Sequence, residues 1–303
     1  MKPYLIIIIA TFIATLGGGG CARAEPIRIL MWNIESDGAN YDVIADQLKS
    51  LGDYDIYGFT EVRPREWPAI RESLDGRFDV WYSHSGGDDR TAFAIDRNRF
   101  DILEKKELKS FGKFLLNPGN YRSPHIYRLR DRATDVELLI MINHLARGRA
   151  ELRQSQADGL HQWAQEQSLP IVAIGDYNFD YVYATERGNE AFNRFVRDDV
   201  WRWVRPDEPI DSNWFDGDGD GRDDYPGSIL DFGFVAGAAK DWPATSRVIV
   251  RPGDFPDDAT TSDHRPVELI VTPTPAATVS PTTTTMPAMK AAAPAKLTIP
   301  AGR

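Results

Sequence analysis

The sequence predicts an α/β (α+β) chain folded as a four-layer sandwich, with two mixed β-sheets packed face to face and helices outside. Three observations predict it. Short β-rich runs occur both in consecutive series and in alternation with helical segments, a pattern that favours mixed sheets flanked by helices. The stretch between the two atypical ends, residues 25–272, is long enough for one large core and has a size common for a single α/β domain. No internal repeat divides it.

Taken in order, Pro26 to Ile34 is β-rich and alternating, a strand ending at Asn33. Tyr41 to Leu51 puts Val43, Ile44, Leu48 and Leu51 on one helical face, with Gly52 as the stop. Asp55 to Thr60 reads as a short buried strand with Glu61 at its exit, and Trp67 to Leu74 as a helix with Pro68 in its first turn. Phe78–Ser83, Thr91–Ile95, Phe100–Leu108, Ile126–Arg130 and Val136–Ile142 follow as strands. A helix is expected over Ala150–Gln167, a strand over Pro170–Ile174 and a helix over Glu190–Val200. Ile229–Val235, Ser246–Val250 and Val267–Val271 complete the strands.

Both ends stand apart. Residues 1–24 have the form of a secretory signal: Lys2, an apolar run from Leu5 to Leu16, then small residues. The run is too short for a membrane-spanning helix. Two processing routes are open, cleavage after Ala22-Arg23-Ala24 and lipidation of Cys21, which would anchor the chain. Either route places the domain outside the cytoplasm, secreted, periplasmic or lipid-anchored. Cys21 is the single cysteine, so no intrachain disulfide forms. Residues 273–303 are rich in Thr, Pro and Ala with few large apolar side chains, the composition of a disordered tail.

These ends hold five of the 35 basic residues and none of the 45 acids, so the domain carries 30 against 45, a net charge near −15. That balance argues against a module that grips nucleic acid by its backbone charge. It leaves room for an enzyme whose metal and local basic rim handle a phosphate.

Candidate chemistry gathers at strand ends. Gly175-Asp176-Tyr177-Asn178 offers a carboxylate to orient or deprotonate water and an amide to contact phosphate oxygen, although the same residue types also make ordinary turns. His144 ends the apolar Val136–Ile142 run, placed either to donate to a phosphate oxygen or to be satisfied by a neighbour. Glu61 closes a buried strand as an oxygen ligand for Mg²⁺ or Mn²⁺, or else pairs with Arg63 or Arg65 in solvent. Asn33 and Glu35 can complete its shell. Asp231 lies within an apolar strand and needs a partner, for which His264 is the candidate; Asp263 would then face the metal.

In this order, these motifs resemble the endonuclease/exonuclease/phosphatase family, with its DNase I-like fold. The resemblance runs from Trp32 to Val267 and is strongest in Ser262-Asp263-His264-Arg265-Pro266-Val267 and Gly175-Asp176-Tyr177-Asn178. It implies metal ligation by Asn33 and Glu61, supported by Asp263, with His144 and His264 serving the phosphate and transition state. It further implies that Asp176 handles the attacking water, Asn178 contacts the phosphate and Asp231 orients His264. Arg122 of Arg122-Ser123-Pro124 fits a phosphate-binding Arg-x-Pro element. Ile142 stands where Asn is common, and no carboxylate partner for His144 is identifiable. The substrate implied is a phosphoester, whether nucleic acid, phospholipid headgroup or small phosphate ester, with no obligate protein partner.

A second metal signal is separate. Asp216-Gly217-Asp218-Gly219-Asp220-Gly221-Arg222-Asp223-Asp224 has acids at the alternating positions of a calcium loop. Asp216, Asp218, Asp220 and Asp224 would supply side chains to a structural Ca²⁺ and Arg222 its carbonyl. The twelfth position is Gly227 rather than Glu, and a mobile acidic loop is the alternative. The expected function is thus an extracytoplasmic, metal-dependent phosphoesterase. The rival from another class is a calcium-stabilised, non-catalytic binding module; a serine hydrolase lacks its Gly-x-Ser-x-Gly elbow.

Overall fold

The computed structural model of the chain describes residues 25–252, 254 and 260–274, and the strand expected at the start of the domain is Ile27–Asn33 (β1). The leader with Cys21, and residues 275–303 of the tail, lie outside the described residues. After β1 come Tyr41–Ser50 (α1), Ile56–Val62 (β2), Trp67–Ser73 (α2), Phe78–Tyr82 (β3), Arg90–Asp96 (β4) and Phe100–Glu107 (β5). A small hairpin follows, Ser110–Phe111 (β6) and Phe114–Leu115 (β7), then His125–Asp131 (β8), Val136–His144 (β9), Ala150–Gln165 (α3) and Ile171–Val182 (β10). Glu190–Val196 (α4), Trp201–Trp203 (β11), Ser228–Ala236 (β12), Ala244–Val248 (β13) and Val267–Val271 (β14) complete the order.

Two six-stranded sheets result, ordered β13-β14-β1-β2-β4-β3 and β11-β12-β10-β9-β8-β5. Each is mixed: β1 runs parallel to β2 and β9 parallel to β10, while the other pairs are antiparallel. The pleat sorts side chains between layers. Ile29 and Met31 of β1 join the core between the sheets, whereas Leu30 and Trp32 turn outward under α1 and α2 with Ile44, Leu48 and Trp67. The other outer face packs Tyr177, Phe179 and Phe234 against Phe195 of α4. In β2, Gly58 lets the sheets close: a Cβ there would lie 2.4 Å from Ile174 Cδ1 and 3.0 Å from Ile142 Cδ1.

Two expectations are corrected. The helix beginning at Glu190, capped by Asn189 through Ala191 N and Phe192 N, ends at Val196 rather than Val200. Asp198 and Asp199 take left-handed φ of 56° and 54°, which an α-helix does not accommodate. Beyond that turn Trp201 stacks on Phe195 at 4.9 Å and pairs with β12, making a strand absent from the sequence reading. The strand expected to stop at Ile174 instead continues to Val182 through a bulge that carries the most informative residues of the chain. Smaller shifts occur at β13, which is Ala244–Val248.

Candidate active site

The C-terminal ends of the parallel pair β1/β2 meet those of the parallel pair β9/β10 at one edge of the sandwich. Glu61 sits in a bulge of β2, where the ladder with β4 slips between Phe59 and Val62 and Glu61 takes a left-handed φ of 58°. A non-glycine residue held there marks strain that the surroundings must stabilise. Glu61 Oε2 accepts bonds from Ser36 N at 3.0 Å and Ser36 Oγ at 3.1 Å. Oε1 accepts from Asn33 Nδ2 at 3.0 Å, and the same nitrogen reaches Asp176 Oδ2 at 3.1 Å. Asn33 thus bridges the two carboxylates, one from each sheet, with its own oxygen accepting from Glu35 N.

Asp176 is delivered by the second bulge. Gly175 takes φ 133°, and a Cβ on it would lie 2.0 Å from the Asn143 carbonyl oxygen of β9. Asp176 Oδ1 accepts from Asn178 N at 2.9 Å, a local turn with Asn178 at φ 51°. Asn178 Nδ2 donates to Leu145 O, and its Oδ1 accepts from Arg147 Nη1 at 3.1 Å, which draws that guanidinium to the cleft.

Two imidazoles flank Asp176. His264 Nδ1 lies 2.7 Å from Asp231 Oδ2, which also accepts from Ser212 Oγ at 2.8 Å. His144 Nδ1 lies 3.1 Å from Asp89 Oδ1, and Asp89 pairs with Arg122 at 2.9 Å. With their Nδ1 atoms so engaged, both rings aim Nε2 at one oxygen: Asp176 Oδ2 is 3.6 Å from His144 Nε2 and 4.0 Å from His264 Nε2. Burial alone would drive both imidazoles toward neutrality. For His264 the carboxylates of Asp231, Asp263 and Asp176 outweigh it and hold the pKa well above the usual histidine value. His144 is pushed down by burial and by Arg122, yet Asp89 and Asp176 still leave it raised. Partial burial pushes the Asp89 carboxyl up, but His144 and Arg122 outweigh it and leave its pKa lowered.

Asp263 stands on the His264 side, its Oδ1 3.9 Å from His264 Nε2 and its backbone N–H on Glu35 Oε2. Glu35 therefore ties two loops together. Glu61, His144 and Asp176 bring potential ligand atoms within 4.8 Å of one another, as do Asp176, Asp231 and His264. Ser262 fastens the closing loop, its Oγ donating to Asn33 O at 2.6 Å while accepting from His264 N.

The cleft has two lobes that share Glu61, His144 and Arg147. One, about 250 Å³, runs past Asp176 and His264 to Trp214, Phe215 and Tyr225. The other, about 440 Å³, includes Ser36, Asp89, Tyr121 and Arg122. Asp89 and Arg147 were not expected at the site. Asp89 lies in a Gly-Gly-Asp-Asp turn, and only the requirement of a carboxylate for His144 could have pointed to it. In the acidic loop, Asp216, Asp218 and Asp220 converge within 4.8 Å, whereas Asp224 is turned to accept from Gly217 N at 2.8 Å.

No family model matches the chain, and no curated protein matches it. Solved structures do. An endonuclease/exonuclease/phosphatase family protein from Bacteroides thetaiotaomicron superposes with a TM-score of 0.63 at 20% identity, over 83% of this chain and 100% of that one. The chain has the endonuclease/exonuclease/phosphatase fold. The B. thetaiotaomicron mannosyl-6-phosphatase Bt3783 shares that fold at a TM-score of 0.59 and 20% identity, over 81% of this chain and 99% of that one. So does D. rerio TDP2 complexed with single-strand DNA product, at 0.62 and 17%, over 82% of this chain and 99% of that one.

Proposed function

We propose that the chain is a divalent-metal-dependent phosphoesterase. The observation that carries this is Asp176 Oδ2 lying between two imidazoles, each held by its own carboxylate, buried Asp231 behind His264 and half-buried Asp89 behind His144. Solved structures of the same fold include a mannosyl-6-phosphatase and TDP2 complexed with a DNA product, which supports phosphate ester chemistry.

The residues fit a hard cation. Ser36 occupies Glu61 Oε2, while Oε1 and Asp176 Oδ2 are drawn together on the Asn33 amide nitrogen, an all-oxygen pair suited to Mg²⁺ or Mn²⁺. Glu61 and Asp176 would hold the ion, with Asn33 joining if its amide turns its oxygen inward and Asp263 supporting from the His264 side. Such an ion supplies charge neutralisation at the phosphate. The protein does the rest. Asp176 aligns water and takes its proton as the oxygen attacks phosphorus in line. The leaving ester oxygen departs with the P–O electron pair and takes a proton from an imidazolium. His264, held charged by Asp231, and His144, held by Asp89, are the two donors, and before bond cleavage both stabilise charge on the phosphate oxygens. Arg122 and Arg147 line the approach.

The acidic loop is proposed as a structural Ca²⁺ site on its spacing and the convergence of Asp216, Asp218 and Asp220. An extracytoplasmic location is proposed from the leader; among the described residues no helix is long and apolar enough to cross a membrane.

One assay tests the reading. Hydrolysis of bis-p-nitrophenyl phosphate is measured with Mg²⁺, Mn²⁺ or chelator for the wild type, Asp176→Asn and His264→Ala, with Ca²⁺-dependent melting recorded in parallel. The expected result is chelator-sensitive turnover that falls by about 10²–10⁴ in each variant without unfolding. Full turnover in either variant would sink the assignment. No turnover with any metal would favour the binding module.

A further inference from the structure

The lip of the cleft is made of residues that the proposed chemistry leaves unused. Phe215 and Tyr225 are 47% and 52% exposed, yet they wall the same cleft as Asp176 and His264. Their rings lie side by side, centroids 5.6 Å apart and planes at 40°. The loop between them holds the pair in place. Asp223 Oδ1 accepts from Phe215 N at 3.3 Å and from Tyr225 N at 3.1 Å, so one carboxylate clamps both backbones, and Asp224 N donates to Phe215 O at 2.8 Å. The lip is also rooted at the reaction centre. Trp214 N donates to Asp263 O at 2.9 Å, and Asn213 pairs with His264 along the backbone. The rings are therefore referenced to the imidazole that would face the phosphorus.

We propose that this lip is a stacking subsite for a planar aromatic group carried by the phosphoester, a nucleobase or an aryl ring. The proposal rests on the phosphoesterase reading, because it needs phosphorus at Asp176. Aromatic faces stack on planar rings with little regard to ring identity. The loop carboxylates are turned to their own backbone: Asp216 accepts from Gly219, Asp220 and Gly221, and Asp224 from Gly217. The lip thus presents exposed aromatic rings rather than a fan of polar partners for sugar hydroxyls. Five carboxylates against Arg222 leave the loop behind it negative even with one Ca²⁺ bound, which repels a second phosphate, so a small ester with one phosphate group suits the cleft better than a long strand.

The test is calorimetric, with Mg²⁺ present at fixed ionic strength. Thymidine 5′-monophosphate, phenyl phosphate, 2-deoxyribose 5-phosphate and mannose 6-phosphate are titrated into the full chain and into Phe215→Ala/Tyr225→Ala. The wild type should bind one or both aromatic esters roughly 5- to 100-fold more tightly than deoxyribose 5-phosphate, and the double variant should erase that ratio. Which aromatic ester gains identifies a base or an aryl group. Equal binding of all four, no binding of any, or a ratio kept in the variant overturns the proposal. A ring-dependent preference for mannose 6-phosphate overturns it in favour of a sugar. Loss of phosphatidylcholine vesicle binding in the variant, with the ligand ratio unchanged, overturns it in favour of a membrane contact. If the double variant fails to melt like the wild type, Phe215→Leu/Tyr225→Leu keeps apolar bulk and removes the rings. Ring-dependent binding without hydrolysis of bis-p-nitrophenyl phosphate would keep the subsite and reject the enzyme; hydrolysis without ring-dependent binding would do the reverse.

Discussion

At the scale of single residues, the two histidines differ in how their charge is maintained. His264 has a fully buried carboxylate behind it, while His144 depends on Asp89, which also answers to Arg122. Replacing Asp89 with Asn keeps the shape and removes the charge that opposes burial and Arg122 at His144. The folded pKa of His144 should then fall. A donor imidazolium works below its pKa and is lost as pH rises through it, so the alkaline limb of the kcat profile should move to lower pH in Asp89→Asn. At neutral pH kcat should drop about 10- to 100-fold, with KM little changed. Parallel pH–rate profiles of the two proteins check this, and superimposable alkaline limbs would show that Asp89 does not set the working charge of His144. Asp89 also marks where the sequence falls silent. It lies 55 residues from its histidine in a glycine-rich turn beside an equally plausible Asp88, and nothing local distinguishes the two. Asp231 was easier to read, because a lone carboxylate in an apolar strand demands a partner.

At the scale of elements, the site depends on irregularities in otherwise ordinary strands. Periodicity identified β1, β2, β9, β12 and β14, because apolar runs bounded by polar turns leave few alternatives. It stopped the strand before Asp176, since Gly-Asp is also how a strand ends. The structure carries the strand on, because Gly175 takes a backbone geometry that brings it against β9 while Asp176 still pairs opposite Asp231 of β12. Register slips of this kind are set by contacts between distant strands, which a local pattern does not contain. Gly175→Ala should therefore be costly twice over, through its φ of 133° and through a Cβ placed 2.0 Å from a carbonyl oxygen. A loss of about 3 kcal/mol in urea unfolding is expected. Turnover should fall with it in the protein that remains folded, because relief of the clash displaces Asp176. Wild-type stability and turnover in this variant would mean that the bulge is not a requirement of the site.

At the scale of the whole molecule, the joint between the sheets carries a titratable group that the chemistry does not use. His125, at the start of β8, has no exposed surface and is surrounded by Trp81, Phe93 and Tyr127 at ring distances of 4.8, 5.5 and 5.1 Å. Neither ring nitrogen has a hydrogen-bond partner among the described residues. Burial lowers its pKa from 6.5 to about 3, with Glu107 opposing and Lys105 and His84 adding to the shift. The unfolded chain therefore binds a proton near pH 6.5 that the folded chain refuses until about pH 3, and stability is lost as pH falls through that interval. At pH 5 the loss is about 2 kcal/mol relative to pH 7.5. His144 and His264 act with the opposite sign: their raised pKa values add stability as pH falls through the folded values toward 6.5, and that contribution is fully present below 6.5, so the net pH dependence of the wild type does not isolate His125. The difference between two proteins does. In His125→Phe the aromatic packing is kept and the titration removed, while both active-site histidines remain. Urea unfolding of wild type and variant at pH 7.5 and pH 5 should show the wild type losing about 2 kcal/mol more than the variant. Equal losses would place the ring in contact with water or a partner, and the sheets would then not close over it as a dry joint.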